Sequence, residues 1–183
     1  MPATVTRFPS SAPPALAGEA ELFYAAQAPK VYRAAYRITG SPVDAEDVVQ
    51  TVFLRLLQRP EVPFGEGGAG YLYRSAVHAA LDVLRARQRA GWVPLEDPDG
   101  ATDPAPGPER DEEQRRQRRA LRRALSRLSP RAAEIFALRY FEGFGNREIA
   151  ELTGTSQGVV AVLLHRTRAR LRKELAALLG DRS

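Results

Sequence analysis

The sequence predicts an all-α chain built as two small helical halves. Three observations predict it. Apolar residues recur at i, i+3 and i+4 along most of the 183 residues, with no strand-like alternation and no internal repeat. Two Ser-Pro pairs, Ser41-Pro42 and Ser129-Pro130, read as helix starts, with Ser as N-cap and Pro at the first helical position. A stretch rich in Pro, Gly and acid follows Gly91, and the composition then turns to arginine.

Residues 1–18, rich in Pro, Ala and Ser, are expected to be disordered. From Glu19 the spacing is helical. Leu22, Tyr24 and Ala25, then Val31, Ala34, Ala35 and Ile38, suggest helices broken near Pro29 and stopped at Gly40. After Ser41, Asp44 stands at the capping-box position. Val48, Val49, Val52, Phe53, Leu56 and Leu57 carry a stripe to about Arg59. Residues 60–70 hold two prolines and four glycines and read as a loop. A long helix follows over about 69–89. Leu72, Ala76, Ala79 and Val83 form its apolar stripe, and Arg74, His78, Asp82, Arg85 and Arg89 its polar one.

The first half therefore spans 19–91, the linker 92–113 and the second half 114–180. A basic helix opens the second half, with Arg115, Arg116, Arg118, Arg119, Arg122, Arg123 and Arg127 around Leu121, Leu125 and Leu128. Ile135, Phe136, Leu138 and Phe141 carry the next, and Gly143-Phe144-Gly145 is a turn. Two helices close the chain, about 146–153 and 156–179. In the stretch 147–156 (REIAELTGTS), Ile149, Ala150 and Leu152 point inward, Gly154 takes the left-handed turn and Ser156 caps the last helix. Val160, Leu164 and Leu171 continue that helix's buried face. This is a helix-turn-helix layout, whose second helix enters the major groove, and Arg166, Arg168, Arg170, Arg172 and Lys173 are placed for phosphates. An ordinary helical hairpin with a solvated charged face has the same local pattern.

Composition narrows the function. No cysteine is present, which excludes a disulfide scaffold, a thiolate zinc site and a cysteine nucleophile. His78 and His165 are the only histidines, and no metal or nucleophile spacing is seen, so neither an enzyme nor a cofactor is expected. The clustered Asp44, Glu46 and Asp47 are better explained as complements to a helix dipole than as a catalytic carboxylate set. The formal charge of +5, almost all arginine, with a pI near 10.0, permits nucleic-acid binding without demanding it. The first residues lack the pattern of a signal peptide and no apolar run spans a bilayer. A cytoplasmic protein without direct membrane insertion is expected.

Several segments, in order, resemble one family. Residues 32–40 (YRAAYRITG) and 44–56 (DAEDVVQTVFLRL) are similar to the first conserved region of extracytoplasmic-function sigma factors of the sigma-70 family. Residues 71–74 (YLYR) and 81–85 (LDVLR) resemble that family's promoter-melting helix. Residues 124–131 (ALSRLSPR), 138–143 (LRYFEG) and the helix-turn-helix through 164–171 (LHRTRARL) resemble its second domain. The match covers nearly all of residues 19–175, and the ordered set is far more specific than any one piece.

The resemblance implies roles. The chain would bind core RNA polymerase, through the coiled coil of the largest subunit and the flap, and direct it to promoter DNA. Asp44, Glu46, Asp47, Gln50 and Thr51 would meet the polymerase, although an isolated acidic face is more often simply solvated. Tyr71, Tyr73, Arg74, His78, Arg85 and Arg89 would meet the minus-ten element, where a base leaves the stack and is held by stacking and hydrogen bonds. Core packing is the competing role for Tyr71 and Tyr73. Val77 and His78 stand where many relatives carry Arg-Asn, and Tyr71 replaces a frequent Trp. Arg147, Ser156, Gln157, Gly158, Val159, Ala161, Val162, His165, Arg166 and Arg168 would meet the minus-thirty-five element. The first turns of that recognition helix are almost wholly apolar. Gln157 suits adenine, and Ala161 and Val162 suit thymine methyls, so an A/T-leaning contact or readout by DNA shape is expected. Alternatively, an anti-sigma factor covers this apolar surface. The acidic linker would thread toward the polymerase cleft, or serve as a self-repelling spacer.

Two other readings make different predictions. A stand-alone helix-turn-helix regulator would bind duplex DNA without polymerase and leaves the first half unexplained. A nuclease would be metal-dependent and lose its activity on Glu46→Ala. No small-molecule substrate is expected in either the sigma or the regulator reading.

Overall fold

A computed structural model describes residues 14–59, 66–91 and 108–180. Among the described residues there are seven helices and no strand: α1 (Pro14–Thr39), α2 (Pro42–Leu57), α3 (Glu66–Arg89), α4 (Pro108–Ser126), α5 (Pro130–Tyr140), α6 (Asn146–Thr153) and α7 (Gln157–Gly180). The expected all-α class holds.

The first three helices pack on one another around Val31, Ile38, Val48, Val52, Leu72 and Leu81, all essentially sealed from solvent. Ser41 caps α2 as expected, accepting from the Asp44 amide at 3.3 Å. The return half of a capping box does not form. The Ser41 amide instead donates to Thr39 Oγ1 at 3.3 Å, and the Asp44 carboxylate pairs with Arg87 of α3. Gly40 turns the chain between α1 and α2 at φ +69°, and its amide closes α1 by donating to the Tyr36 carbonyl at 2.7 Å.

Around this core the chain departs from expectation at three places. α1 is one helix that runs through Pro29 rather than breaking there. Proline removes the bond to the carbonyl four residues back, at Ala25, but both residues lie on the exposed side, open to solvent. Of the tail expected to be disordered, 14–18 belong to α1 and 1–13 lie outside the described residues. α3 starts at Glu66, so 66–70 are helical despite their glycines, and 60–65 lie outside the described residues. Close packing accounts for one of them: a Cβ on Gly70 would come within 2.9 Å of Leu152 Cδ2 of α6.

In the second half, α7 packs against α4, α5 and α6. Ser129 caps α5 through the Ala132 amide at 3.4 Å. α4 begins at Pro108, six residues before the expected onset at 114, while 92–107 of the expected linker lie outside the described residues. The acidic end of that stretch suits a helix start. Glu112 pairs with Arg119 at 2.7 Å, and Glu113 accepts from Gln117 at 3.0 Å. Buried residues of both halves, from Val31 to Leu171, form one continuous hydrophobic cluster, because α3 also packs against α4, α5 and α6.

Candidate nucleic-acid and polymerase interface

Three surfaces carry the residues predicted from sequence. The first is the outer face of α2. Val48, Val49, Val52 and Leu56 point inward, which turns Glu46, Asp47 and Gln50 to solvent. Exposed Val43, Leu54 and Leu57 extend that face at helical spacing, giving an acidic strip with apolar ends. Sequence reasoning passed over Val43 and Leu54. Their signal was an apolar residue off the buried stripe. Thr51 is half-buried. Asp44 is largely covered, because Arg87 reaches across from α3 to its carboxylate and to Ser41 Oγ at 3.5 Å.

The second surface lies between the end of α2 and the first turns of α3. A cavity of about 620 Å³ is lined by Arg55, Gln58, Arg59, Tyr71, Arg74, Ser75 and His78. The Arg59 guanidinium sits 5.7 Å from the centre of the Tyr71 ring. An aromatic face flanked by cations and amide and hydroxyl donors suits an unstacked nucleotide: ring on ring, with positive charge for phosphate. Tyr71, Arg74 and His78 were expected here. Arg55, Gln58, Arg59 and Ser75 were not, because α2 and α3 are brought together only by the fold. The expected minus-ten set is not one surface, however. Tyr73 faces the second half, edge-on to Phe144 with ring centres 5.7 Å apart. Burial, and then the charge of Glu142, push its phenol above the usual range, against the pull of Arg33 and Arg37. Arg85 is tied to Asp82 at 3.1 Å, and Arg89 is exposed at the end of α3.

The most buried charge in the molecule's described part closes one edge of this surface. Glu134 of α5 has a side chain only 3 % exposed. Its Oε1 accepts from Arg74 Nε at 2.7 Å and lies 2.9 Å from His78 Nε2, and its Oε2 lies 3.6 Å from Arg131. Burial works to raise the Glu134 carboxyl, but the hydrogen bonds and charges of His78 and Arg74 outweigh it and hold it below the usual range. Sequence reasoning did not single out Glu134; a lone Glu in an amphipathic helix gives no sign of its partner.

The third surface is the helix-turn-helix. Gly154, at φ +63°, ends α6, and Ser156 Oγ caps α7 by accepting from the Val159 amide at 3.3 Å. Gly145 opens α6, its amide donating to Glu148 at 2.6 Å. Val160, Leu164, Thr167 and Leu171 are the buried face of α7, matching the expected stripe with Thr167 added. That leaves Gln157, Gly158, Val159, Ala161, Val162, His165, Arg166 and Arg168 exposed together, with Val162 half exposed. Arg147 is exposed on α6 and pairs with Glu151 at 3.0 Å. Among the described residues no cluster of His, Asp and Glu could hold a metal ion, and no helix is long and apolar enough to cross a membrane.

Comparison with known proteins joins these surfaces. Residues 23–90 match Sigma-70 region 2, and residues 118–171 match Sigma-70, region 4. The first match holds α2 and α3, the second the helix-turn-helix. The chain is 34 % identical over 150 residues to an ECF RNA polymerase sigma factor SigE of Mycolicibacterium smegmatis, covering 81 % of this chain and 58 % of that protein. It is 34 % identical over 147 residues to an RNA polymerase sigma-E factor of Streptomyces coelicolor, covering 79 % of each. In fold it is similar to CnrH, solved in complex with the cytosolic domain of CnrY, with a TM-score of 0.55 and 22 % identity over 90 % of this chain and 89 % of that one. Two sigma regions in order, on relatives aligned across both, place the chain in the extracytoplasmic-function group of the sigma-70 family of RNA polymerase sigma factors.

Proposed function

We propose that the chain is an alternative sigma factor that binds core RNA polymerase, recognises minus-ten and minus-thirty-five elements, and leaves the chemistry of transcription to the polymerase. The observation that carries this reading is the pairing, in one chain, of an exposed helix-turn-helix with the cationic, aromatic-lined cavity between α2 and α3. A duplex reader alone has no use for a cavity shaped to take an unstacked base. The stand-alone regulator reading is therefore set aside.

Glu46, Asp47 and Gln50, with Val43 and Leu54, form the polymerase-docking strip: charge gives orientation and rate, and the apolar ends give contact area. Asp44 and Thr51 support that strip from below rather than meeting the partner directly. Tyr71 stacks on the displaced base, Gln58 and Ser75 reach its edge, and Arg55, Arg59, Arg74 and His78 carry the adjoining backbone. In the upstream element, Gln157, Ala161 and Val162 face base edges and methyl groups while His165, Arg166, Arg168 and Arg147 hold phosphates. Some relatives in fold are solved with partner proteins, as CnrH is with CnrY. An anti-sigma factor covering exposed Val159 and Val162 is the corresponding partner here. Such a protein works in the cytoplasm.

Run-off transcription with bacterial core polymerase on fragments of the source genome tests the reading. New, promoter-specific transcripts that depend on this protein are expected. Binding to duplex DNA with no binding to core would sink it.

A further inference from the structure

The first turns of α7 expose an apolar surface that the chain's own core does not use. Between Ser156 and His165 no residue carries a charge, and Gln157 is the only polar side chain. Val160 and Leu164 turn into the core, while Val159 and Val162 stand 46 % and 50 % exposed, with Ala161 exposed beside them. The Ser156 hydroxyl is committed to the helix cap, accepting from the Val159 amide at 3.3 Å. Gly158 leaves a gap in the same surface. A Cβ there would meet only Ser156 Oγ, at 3.9 Å, so internal packing has room for a side chain. Its absence lets an outside body approach the helix backbone closely.

The chemistry of the surface names its occupant. Arg166 and Arg168, exposed in the turns that follow, border the apolar residues with positive charge. An apolar centre bordered by cations complements a major groove, where phosphates flank the base edges. The apolar group that a base edge offers there is the C5 methyl of thymine. Three residues of helix advance about 4.5 Å and one base pair about 3.4 Å, so Val159 and Val162 are spaced to meet neighbouring pairs. Arginine, the usual partner of guanine, is missing from these turns. We infer that α7 selects its element by burying pyrimidine C5 methyl groups against Val159, Ala161 and Val162, so that thymine and 5-methylcytosine are both accepted where unmodified cytosine is disfavoured. Both bases project the same methyl into the groove from the same ring position. This rests on the assignment of α7 to the upstream element.

The decisive change is made in the DNA, so the fold of the protein is untouched. Holoenzyme built from the full chain and bacterial core polymerase selects an upstream element from randomised duplexes, and is then titrated with labelled promoter fragments carrying it. The selected element should hold neighbouring thymines. Replacing them with deoxyuridine removes the methyl and keeps the pairing. Affinity should fall roughly fourfold for each methyl that is read, about 0.8 kcal/mol. Val162→Ala should cost roughly fivefold on the thymine fragment and about twofold or less on the deoxyuridine fragment, where its partner methyl is already gone. With the thymines replaced by 5-methylcytosine, binding should be at least about threefold tighter than with cytosine. An element selected without thymine overturns the inference. So does equal affinity for the thymine and deoxyuridine fragments, the result expected of a surface kept for a partner protein alone. Equal affinity for cytosine and 5-methylcytosine overturns the shared reading of the two methylated bases. Scrambling the whole element separates the two layers. A scrambled fragment that binds no worse removes α7 from the upstream element altogether; one that weakens, while deoxyuridine changes nothing, overturns only the methyl readout.

Discussion

Two helices of this chain are proposed to face DNA, and they present opposite surfaces. The first turns of α7 are open and uncharged: Gln157, Gly158, Ala161 and Val162 lie exposed. The first turns of α3 are cationic and partly covered, with Arg74 and His78 held by Glu134. On the proposed roles, the difference follows from what each would read. Duplex DNA offers its major groove ready-made, so an apolar helix can meet base edges and methyl groups directly. A displaced strand exists only after opening, which costs a few kcal/mol per base. Here Arg74 and His78 already meet a carboxylate of the same chain, that of Glu134.

The comparison breaks first at the scaffolds. Leu72 is fully buried beneath α3 and Leu164 nearly so beneath α7. Each cut to alanine should cost about 2–5 kcal/mol, measured by urea unfolding. Because one hydrophobic cluster runs through both halves, each variant should unfold in a single lowered transition. Two separated transitions would show that the two reading helices stand on independent foundations.

Next in size is the surface that neither helix uses. Asp47→Arg with Gln50→Ala reverses the acidic strip of α2 while leaving its buried stripe untouched. Affinity for core polymerase should fall by roughly thirtyfold, about 2 kcal/mol, with the melting temperature unchanged. Unchanged affinity would remove α2 from the docking assignment and leave DNA reading as the only role of the first half.

A smaller change sharpens the contrast on α7. Val162→Ala or Gln157→Ala should lower transcription by about fivefold, close to 1 kcal/mol, at promoters with a good upstream element. Promoters lacking that element should be spared. Equal loss at both kinds would assign these residues to folding. Val162 is half exposed and Gln157 exposed, so a folding role is already disfavoured.

What was legible in the sequence divides along the same line. The α7 stripe of Val160, Leu164 and Leu171, the Gly154 turn and the Ser41, Ser129 and Ser156 caps were all readable, because each is fixed by neighbours within a turn or two. Helix starts at Glu66 and Pro108 were hidden by residues that disfavour helices locally. At Gly70 the close approach of Leu152 favours a residue without a Cβ, and Glu112 and Glu113 found arginine partners, Arg119 and Arg116, further along α4. At Pro29 the local proline signal also gave way: the lost backbone bond lies on the exposed side of α1, and the helix continues through it. For the site, residues on one helix face could be grouped in advance. The cavity partners Arg55, Gln58 and Arg59, and the Glu134–Arg74 pair across 60 positions, could not be, since only the fold brings them together.

The smallest effect is a pH dependence carried by the covered face alone. Glu134 is held below the usual carboxylate range, so the unfolded chain takes up its proton at higher pH than the folded chain does. Its contribution is therefore fully present above the unfolded value, near pH 4, and is lost as pH falls through the lower folded value. The Arg74 and Arg131 guanidiniums and the His78 imidazole are the groups that face it. Glu142 acts in the opposite sense. Burial, opposed by Arg37 and Arg33, raises its carboxyl, so its protonation favours the folded chain as pH falls. Comparing Glu134→Gln with the parent chain cancels the Glu142 contribution. The stability gap between them, measured by urea unfolding from pH 6 to pH 3, should be largest at pH 6 and shrink by about 1 kcal/mol or less toward pH 3. A parallel series on Arg166→Ala of α7, whose side chain has no carboxylate partner within salt-bridge distance among the described residues, should give a gap that stays flat. A gap that narrows equally in both series would mean that acid acts on the whole fold and not on the face that Glu134 covers.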